Sequence, residues 1–328
     1  MKEILKHLTQ HKTLSRNKAS EILTNIAGER YNNSQIAAFL SAYMMRPANV
    51  DELSGFRDAL LDLCRRVDLS EFNTIDLCGT GGDGHNTFNI STLASMVVAG
   101  AGQKVAKHGN YGVSSVCGSS NVMEYMGYKF TNDADILRSQ IDKAGICFLH
   151  APLFHPAMKA VGPIRRELGM KTIFNILGPL INPAFPQNQL VGVYDLETAR
   201  LCNYIYQQTD KNYSILFSLD GYDEVSLTGE FKLLGRETER IMQPEDLGLR
   251  RVQPEEIFGG DTIEEAVKIF VQVLKGEGTE AQNNVVLVNA ALALQTCERN
   301  KSIEQCMEEA KSSLFGGKAL KVLKMITE

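Results

Sequence analysis

Tryptophan is absent from the 328-residue chain, and aromatic residues make up only 7% of it. Any core is therefore built chiefly from Leu, Ile, Val, Met and Phe. Paired cysteines are missing too. The seven cysteines, at 64, 78, 117, 147, 202, 297 and 306, are odd in number, widely spread and form no Cys-x-x-Cys. They read as reduced thiols of a cytoplasmic protein, not as a disulfide framework. The six histidines show no helical metal spacing, and His150 and His155 are not read as a metal pair. No apolar run reaches the ~18 residues of a membrane-spanning helix. The N-terminus is amphipathic with mixed charge and lacks the apolar stretch of a signal peptide. Nor is there an excess of positive charge: Lys+Arg is 34, Asp+Glu is 39, and the net charge is -5. This excludes a general nucleic-acid or membrane-surface binder but leaves room for a local basic pocket.

What is present is ordinary globular composition, 44% hydrophobic and 22% charged. At ~150 residues per domain, the length suggests about two domains. Residues 1–66 carry apolar stripes at three- and four-residue spacing. They run Ile4, Leu5, Leu8; Ile22, Leu23, Ile26; Ile36, Phe39, Leu40, Tyr43; and Leu53, Phe56, Leu60, Cys64. That period predicts four helices, the third capped by Ser34 and the fourth following Pro47. After Val67 short apolar runs alternate with helical stretches. Strands are expected at 74–78, 104–107, 146–150, 190–194 and 213–219. Helices are expected at 91–101, 120–126, 133–144, 196–208, 263–274, 285–297 and 303–312. Gly145 reads as the stop of the third of these. The alternation predicts an α/β domain with a mainly parallel central sheet, behind a small all-helical N-terminal domain.

The most informative segment runs from Ile75 to Thr92. A strand enters four glycines within six residues, Gly79-Thr80-Gly81-Gly82-Asp83-Gly84, then Thr87, Asn89, Ser91 and Thr92, and then a helix. Glycines admit close approach of an anion and expose N–H donors, and the helix N-terminus adds partial positive charge. The spacing is neither a P-loop nor a dinucleotide fingerprint. A phosphate cradle and a simple capped turn both fit. Lys107, His108, Gly109 and Asn110 follow the second strand, with Ser114 and Ser115 beyond. Lys offers a point charge, and Asn and Ser offer directional bonds; a solvated surface loop is the alternative. Arg165 suits a carboxylate, or else pairs with Glu167 on an exposed helix face. Asp223-Glu224, after a strand, suits Mg²⁺ or is a solvated acidic turn.

Together these motifs resemble the anthranilate phosphoribosyltransferase family over nearly the whole chain. The resemblance rests on Gly79–Gly84 with Thr87–Thr92, on Lys107–Asn110, and on Arg165–Gly169 through Asn175–Pro183. It extends to Asp223-Glu224, Asn289-Ala290-Ala291 and Gly316–Leu320. It implies transfer of phosphoribose from phosphoribosyl pyrophosphate (PRPP) to the amine of anthranilate, releasing pyrophosphate, in tryptophan biosynthesis. It implies Mg²⁺ as cofactor and a homodimer formed through the helical domain. The domains are expected at 1–66, joined by a return segment near 163–183, and at 67–328, the PRPP-binding domain.

By the same resemblance, Gly79, Gly82, Asp83, Thr87, Asn89, Ser91, Thr92, Lys107 and Ser115 bind PRPP. Gly79, His108, Asn110, Pro152, His155, Met158 and Arg165 shape the anthranilate channel. Ser91, Asp223 and Glu224 surround the metal. No covalent nucleophile is implied, and His108 is the candidate general base. The chain departs from the family pattern at Tyr111-Gly112, where Arg and a small residue are usual. It also departs at Gly118–Val122 and at Glu264-Glu265-Ala266. A pyrimidine-nucleoside phosphorylase shares the fold, but would carry Lys-His-Ser-Thr-Gly-Gly where this chain has Leu77–Gly82. A nucleic-acid-binding relative would need a basic stripe, which the net charge disfavours.

Overall fold

The computed structural model describes residues 1–112 and 116–328. The chain opens with α1 (Lys2–Leu8), α2 (Arg16–Ala27), α3 (Asn33–Met45) and α4 (Val50–Leu63). Asn32, not Ser34, caps α3. Its side chain accepts the Gln35 N–H at 2.9 Å, and the Gln35 side chain returns to the Asn32 N–H at 3.3 Å. Ser34 thus lies inside the first turn, because this reciprocal box satisfies two orphan donors. Asn49 and Glu52 cap α4 in the same way.

The larger part contains β1 (Ile75–Gly79), α5 (Ile90–Gly100), β2 (Val105–Gly109), α6 (Ser119–Tyr125), α7 (Ala134–Ala144) and β3 (Ile146–His150). Next come α8 (Ala151–Phe154), α9 (Met158–Leu168), α10 (Ile173–Leu177), β4 (Asn188–Gly192), α11 (Leu196–Gln207) and β5 (Asn212–Ser218). It ends with β6 (Phe231–Gly235), β7 (Glu239–Met242), α12 (Ile263–Leu274), α13 (Glu280–Cys297), α14 (Ile303–Phe315) and α15 (Lys318–Thr327). The sheet order is β3-β2-β1-β4-β5-β6-β7. The first five strands in that order are parallel, and β6 and β7 are antiparallel additions. The fold is thus a small helical unit with a larger α/β unit on a mainly parallel sheet.

Several boundaries differ from the sequence reading. β4 starts at Asn188, which pairs with Ile75 and Asn212, so Tyr194 lies beyond its end. α13 starts at Glu280, where a Thr279–Gln282 box caps a polar first turn that hides the helix. α5 starts at Ile90, with Asn89 at its N-cap position and Ser91 and Thr92 inside its first turn. The sequence reading does not include β6, Phe-Lys-Leu-Leu-Gly, or β7, an exposed Glu-Arg-Ile-Met edge strand. Gly145 adopts φ +81 and ends α7 as expected.

The core of α5 and α12–α15 covers one side of the sheet. A second cluster joins Ile22, Phe39 and Leu53 of the first helices to Val161 and Ile164 of α9. It continues through Phe174 and Leu177 of α10 to Val191 and Ile215 of the sheet and Tyr206 of α11. β1 has β2 on one side and β4 on the other, so the chain order reverses beside it. In open α/β sheets, ligands bind at the carboxyl ends of the strands at such a reversal. Among the described residues, no helix is long and apolar enough to cross a membrane.

Candidate active site

The carboxyl ends of β1, β2, β4 and β5 bring most of the singled-out residues to one place. The turn after β1 contains Gly81, Gly82 and Gly84 at φ +63, +75 and +86. These are left-handed conformations that favour glycine. The Gly81 N–H donates to Asp223 Oδ2 at 2.7 Å, and the Ser91 N–H donates to Glu224 Oε1 at 2.8 Å. The turn after β5 is held just as firmly. Ser218 Oγ donates to the Glu224 carbonyl at 2.8 Å. The Asn289 amide clasps Val225, accepting its N–H at 3.2 Å and donating to its carbonyl at 2.9 Å. Gly79, Ser91, Gly192, Asp223, Glu224 and Asn289 line one cavity.

Asp223 is buried, so the solvated acidic turn is excluded. Burial above all, with Asp83 beside it, pushes its carboxyl above the usual range. Glu224 is raised by burial and by Asp223. Acids crowded this way call for a cation. Among the described residues, no group of three His, Cys, Asp or Glu converges at ligating distance. The all-oxygen donor set of Ser91, Asp223 and Glu224 fits a hard cation that keeps waters or takes substrate oxygens as its other ligands.

Lys107 is 2% exposed, so it is not a solvated loop residue. Its Nζ donates to the Leu77 carbonyl at 2.5 Å and lies 3.5 Å from Ser91 Oγ. His108 is also buried. Its N–H donates to Asp76 Oδ1 at 3.0 Å, and its Nδ1 is 3.1 Å from the Gly178 carbonyl. A carbonyl only accepts, so in the neutral ring Nδ1 carries the proton and Nε2 is left as a bare acceptor. That Nε2 is buried and, among the described residues, without a hydrogen-bond partner. His155 stands against it with ring centroids 5.2 Å apart.

Burial lowers the His108 pKa to about 4 and the His155 pKa to about 3. The unfolded chain titrates near ~6.5. Above that pH both rings are neutral in both states. Below it, the unfolded chain takes up protons that the folded chain refuses, so stability falls as pH drops from ~6.5 through about 4. The slope is ~1.4 kcal/mol per pH unit for each ring. Denaturant titrations at pH 7, 5.5 and 4.5 should show this decline, and His155→Asn should flatten it by one ring's share. An equally steep decline in the variant would remove His155 from the effect.

Arg165, on α9, does not pair with Glu167. It donates to Asn175 Oδ1 at 3.2 Å and lies 5.6 Å over the Phe174 ring. Burial lowers its pKa. A half-buried guanidinium with no carboxylate partner among the described residues is poised for an anion. Asn89 reaches the Cys117 carbonyl at 2.9 Å, Thr92 is buried in α5, and Asn110 Oδ1 accepts the Tyr111 N–H at 2.8 Å. Thr87 bridges to Phe258, and Met158 packs on the helical cluster. Pro152 lines a cavity of about 520 Å³ with Tyr111, Phe130 and His150. Ser115 lies outside the described residues. Sequence reasoning missed Asp76, Asn175 and Lys171. Only Asp76 carried a signal, as an acid inside an apolar strand.

The chain matches two family patterns. Residues 2–64 match "Glycosyl transferase family, helical bundle domain", and residues 71–320 match "Glycosyl transferase family, a/b domain". It is 61% identical to the anthranilate phosphoribosyltransferase of Flavobacterium johnsoniae, over 100% of this chain and 99% of that one. It is 52% identical to that of Bacteroides thetaiotaomicron over the same shares. Among solved structures it resembles the anthranilate phosphoribosyltransferase of Thermus thermophilus, with TM-score 0.91, 29% identity and 98% of each chain covered. The Saccharomyces cerevisiae enzyme, in complex with PRPP and Mg, gives TM-score 0.90 at 25% identity, covering 98% of this chain and 95% of that one.

Proposed function

This chain belongs to the anthranilate phosphoribosyltransferase family, and from that premise we propose how its residues perform the family's reaction. It transfers phosphoribose from PRPP to the amine of anthranilate and releases pyrophosphate, a step of tryptophan biosynthesis. The observation that carries the residue assignment is the joining of the glycine turn to Asp223 by the Gly81 N–H, and of the first turn of α5 to Glu224 by the Ser91 N–H. PRPP is held by Gly79, Gly82, Asp83, Thr87, Asn89, Ser91, Thr92, Lys107 and Ser115. Mg²⁺ is held by Ser91, Asp223 and Glu224, and when bound it supplies charge stabilisation for the departing pyrophosphate.

Lys107 and the N-terminus of α5 add to that stabilisation. The bond from the anomeric carbon to pyrophosphate breaks, and the bond to the anthranilate nitrogen forms. Arg165 receives the anthranilate carboxylate, and Asn110, Pro152, His155 and Met158 shape the approach. An aromatic amine is neutral at pH 7 and attacks without prior deprotonation. The bare Nε2 of His108 orients it by accepting an N–H. With so low a pKa, His108 passes the proton on to solvent or pyrophosphate and does not keep it. Positioning dominates the rate, with no covalent intermediate.

Residues 1–66 and the return segment 163–183 act as one unit against 67–328, supported by their shared apolar cluster. A second copy covers the helical unit, where Met45 on α3 is 85% exposed, to form a homodimer. The protein works in the cytoplasm.

The deciding assay mixes protein, PRPP, Mg²⁺ and anthranilate and follows loss of anthranilate fluorescence. No loss refutes the reading. Arg165→Ala should raise the KM for anthranilate by roughly 10–100-fold, the worth of a charge-assisted contact, with little change in the KM for PRPP. An unchanged anthranilate KM removes Arg165 from the site.

A further inference from the structure

We propose that Lys171 is a further ligand of PRPP, contacting its pyrophosphate-bearing end from the segment that also carries Arg165. The proposal rests on the function proposed above. Lys171 sits between α9 and α10, on a different element from the glycine turn, yet it meets that turn. A Cβ built on Gly82 would come within 3.4 Å of Lys171 Cε and 3.6 Å of Asn175 Nδ2. Gly82 has φ +75, so the turn is bare of side chains where Lys171 crosses it. Beside it the turn is open: a Cβ on Gly81 or Gly84 would meet nothing within 4 Å.

The state of the ammonium points the same way. Lys171 is exposed, and none of the ion pairs among the described residues uses it. Its Nζ rests over the Tyr194 ring, 4.3 Å from the centroid. That weak contact parks the charge beside the turn and yields readily to a phosphate oxygen. Lys107 does not make it redundant, because one of its three N–H donors is held by the Leu77 carbonyl and it approaches from the strand, not from the α9–α10 segment. A pyrophosphate group on this turn faces Lys107 from beneath and Lys171 from the α9–α10 side. Asn175 links this arrangement to Arg165 at 3.2 Å, so one short segment touches the binding residues of both substrates.

The test compares wild type, Lys171→Met and Lys171→Arg. Steady-state kinetics give both KM values, and calorimetry gives the Kd for pyrophosphate with Mg²⁺ in the absence of turnover. Lys171→Met should weaken both the PRPP KM and the pyrophosphate Kd by roughly tenfold, the worth of one charge-assisted hydrogen bond. The anthranilate KM and the melting temperature should hold, and Lys171→Arg should restore most of the loss. A change below about fivefold in both quantities for Lys171→Met overturns the proposal. Failure of the wild type to form product would refute the function instead. The pyrophosphate titration reports on Lys171 in either case.

Discussion

Asp223→Asn should lower kcat/KM for PRPP by about 10³-fold while raising the melting temperature in buffer without divalent cations. The loss follows from the proposed role of Asp223 as a hard anionic ligand, where several kcal/mol of charge stabilisation is required. The gain follows from the crowding of Asp223 and Glu224, with Asp83 of the glycine turn beside them, where burial and like charge disfavour ionisation. The amide oxygen of Asn still accepts the Gly81 N–H that Asp223 Oδ2 now accepts at 2.7 Å, so the turn keeps its shape. Opposite signs for activity and stability are the signature of a strained functional site. A purely structural carboxylate would lose both together. Kinetics with thermal melts at several Mg²⁺ concentrations separate the cases, and wild-type kcat/KM in the variant would remove Asp223 from the site.

Gly192→Ala should be nearly as damaging, for a different reason. A Cβ there would stand 1.7 Å from the Asp223 carbonyl oxygen and 2.9 Å from its carbon. Both are backbone atoms, and no side-chain rotation can clear them. The turn carrying Asp223 and Glu224 must move, and a shift on the order of 1 Å costs about 10²-fold in rate. Overpacking should also cost about 2 kcal/mol, seen as a lower midpoint in denaturant titrations. Gly229→Ala is the control, because its Cβ would make only an ordinary 3.6 Å contact with Asp220 Oδ2. Equal behaviour of the two variants would show that the packing of β4 against this turn does not govern the site.

Much of the site was legible in the sequence because phosphate chemistry leaves local marks. Glycines crowd where the backbone must turn left-handed, Lys107 interrupts the apolar run of β2, and Asp223-Glu224 follow the apolar run of β5. The helical unit was legible for the same reason, through stripes such as Ile22, Leu23 and Ile26. The rest depends on contacts between distant segments. Nothing near Asn289 in the sequence says that its amide clasps Val225. Nothing near Gly82 says that Lys171 crosses it. α9 was hidden because Gly162 and Pro163 interrupt its pattern, and its helical geometry is supported by packing on the first helices. β7 was hidden because an exposed edge strand needs no apolar alternation.

The second apolar cluster also sets an order of events during synthesis. Ile22, Phe39 and Leu53 share their core with Val161, Ile164, Phe174 and Leu177, which lie 108 to 155 residues further along the chain. The first four helices leave the ribosome without the surface that closes over them. At ~5–20 residues per second, that surface arrives about 5–30 s later. The amino-terminal part of the chain is therefore among the first to be made and among the last to be completed. Closing the helical unit is a long-range event, and its speed is governed by the loop that must be spanned, not by the helices themselves.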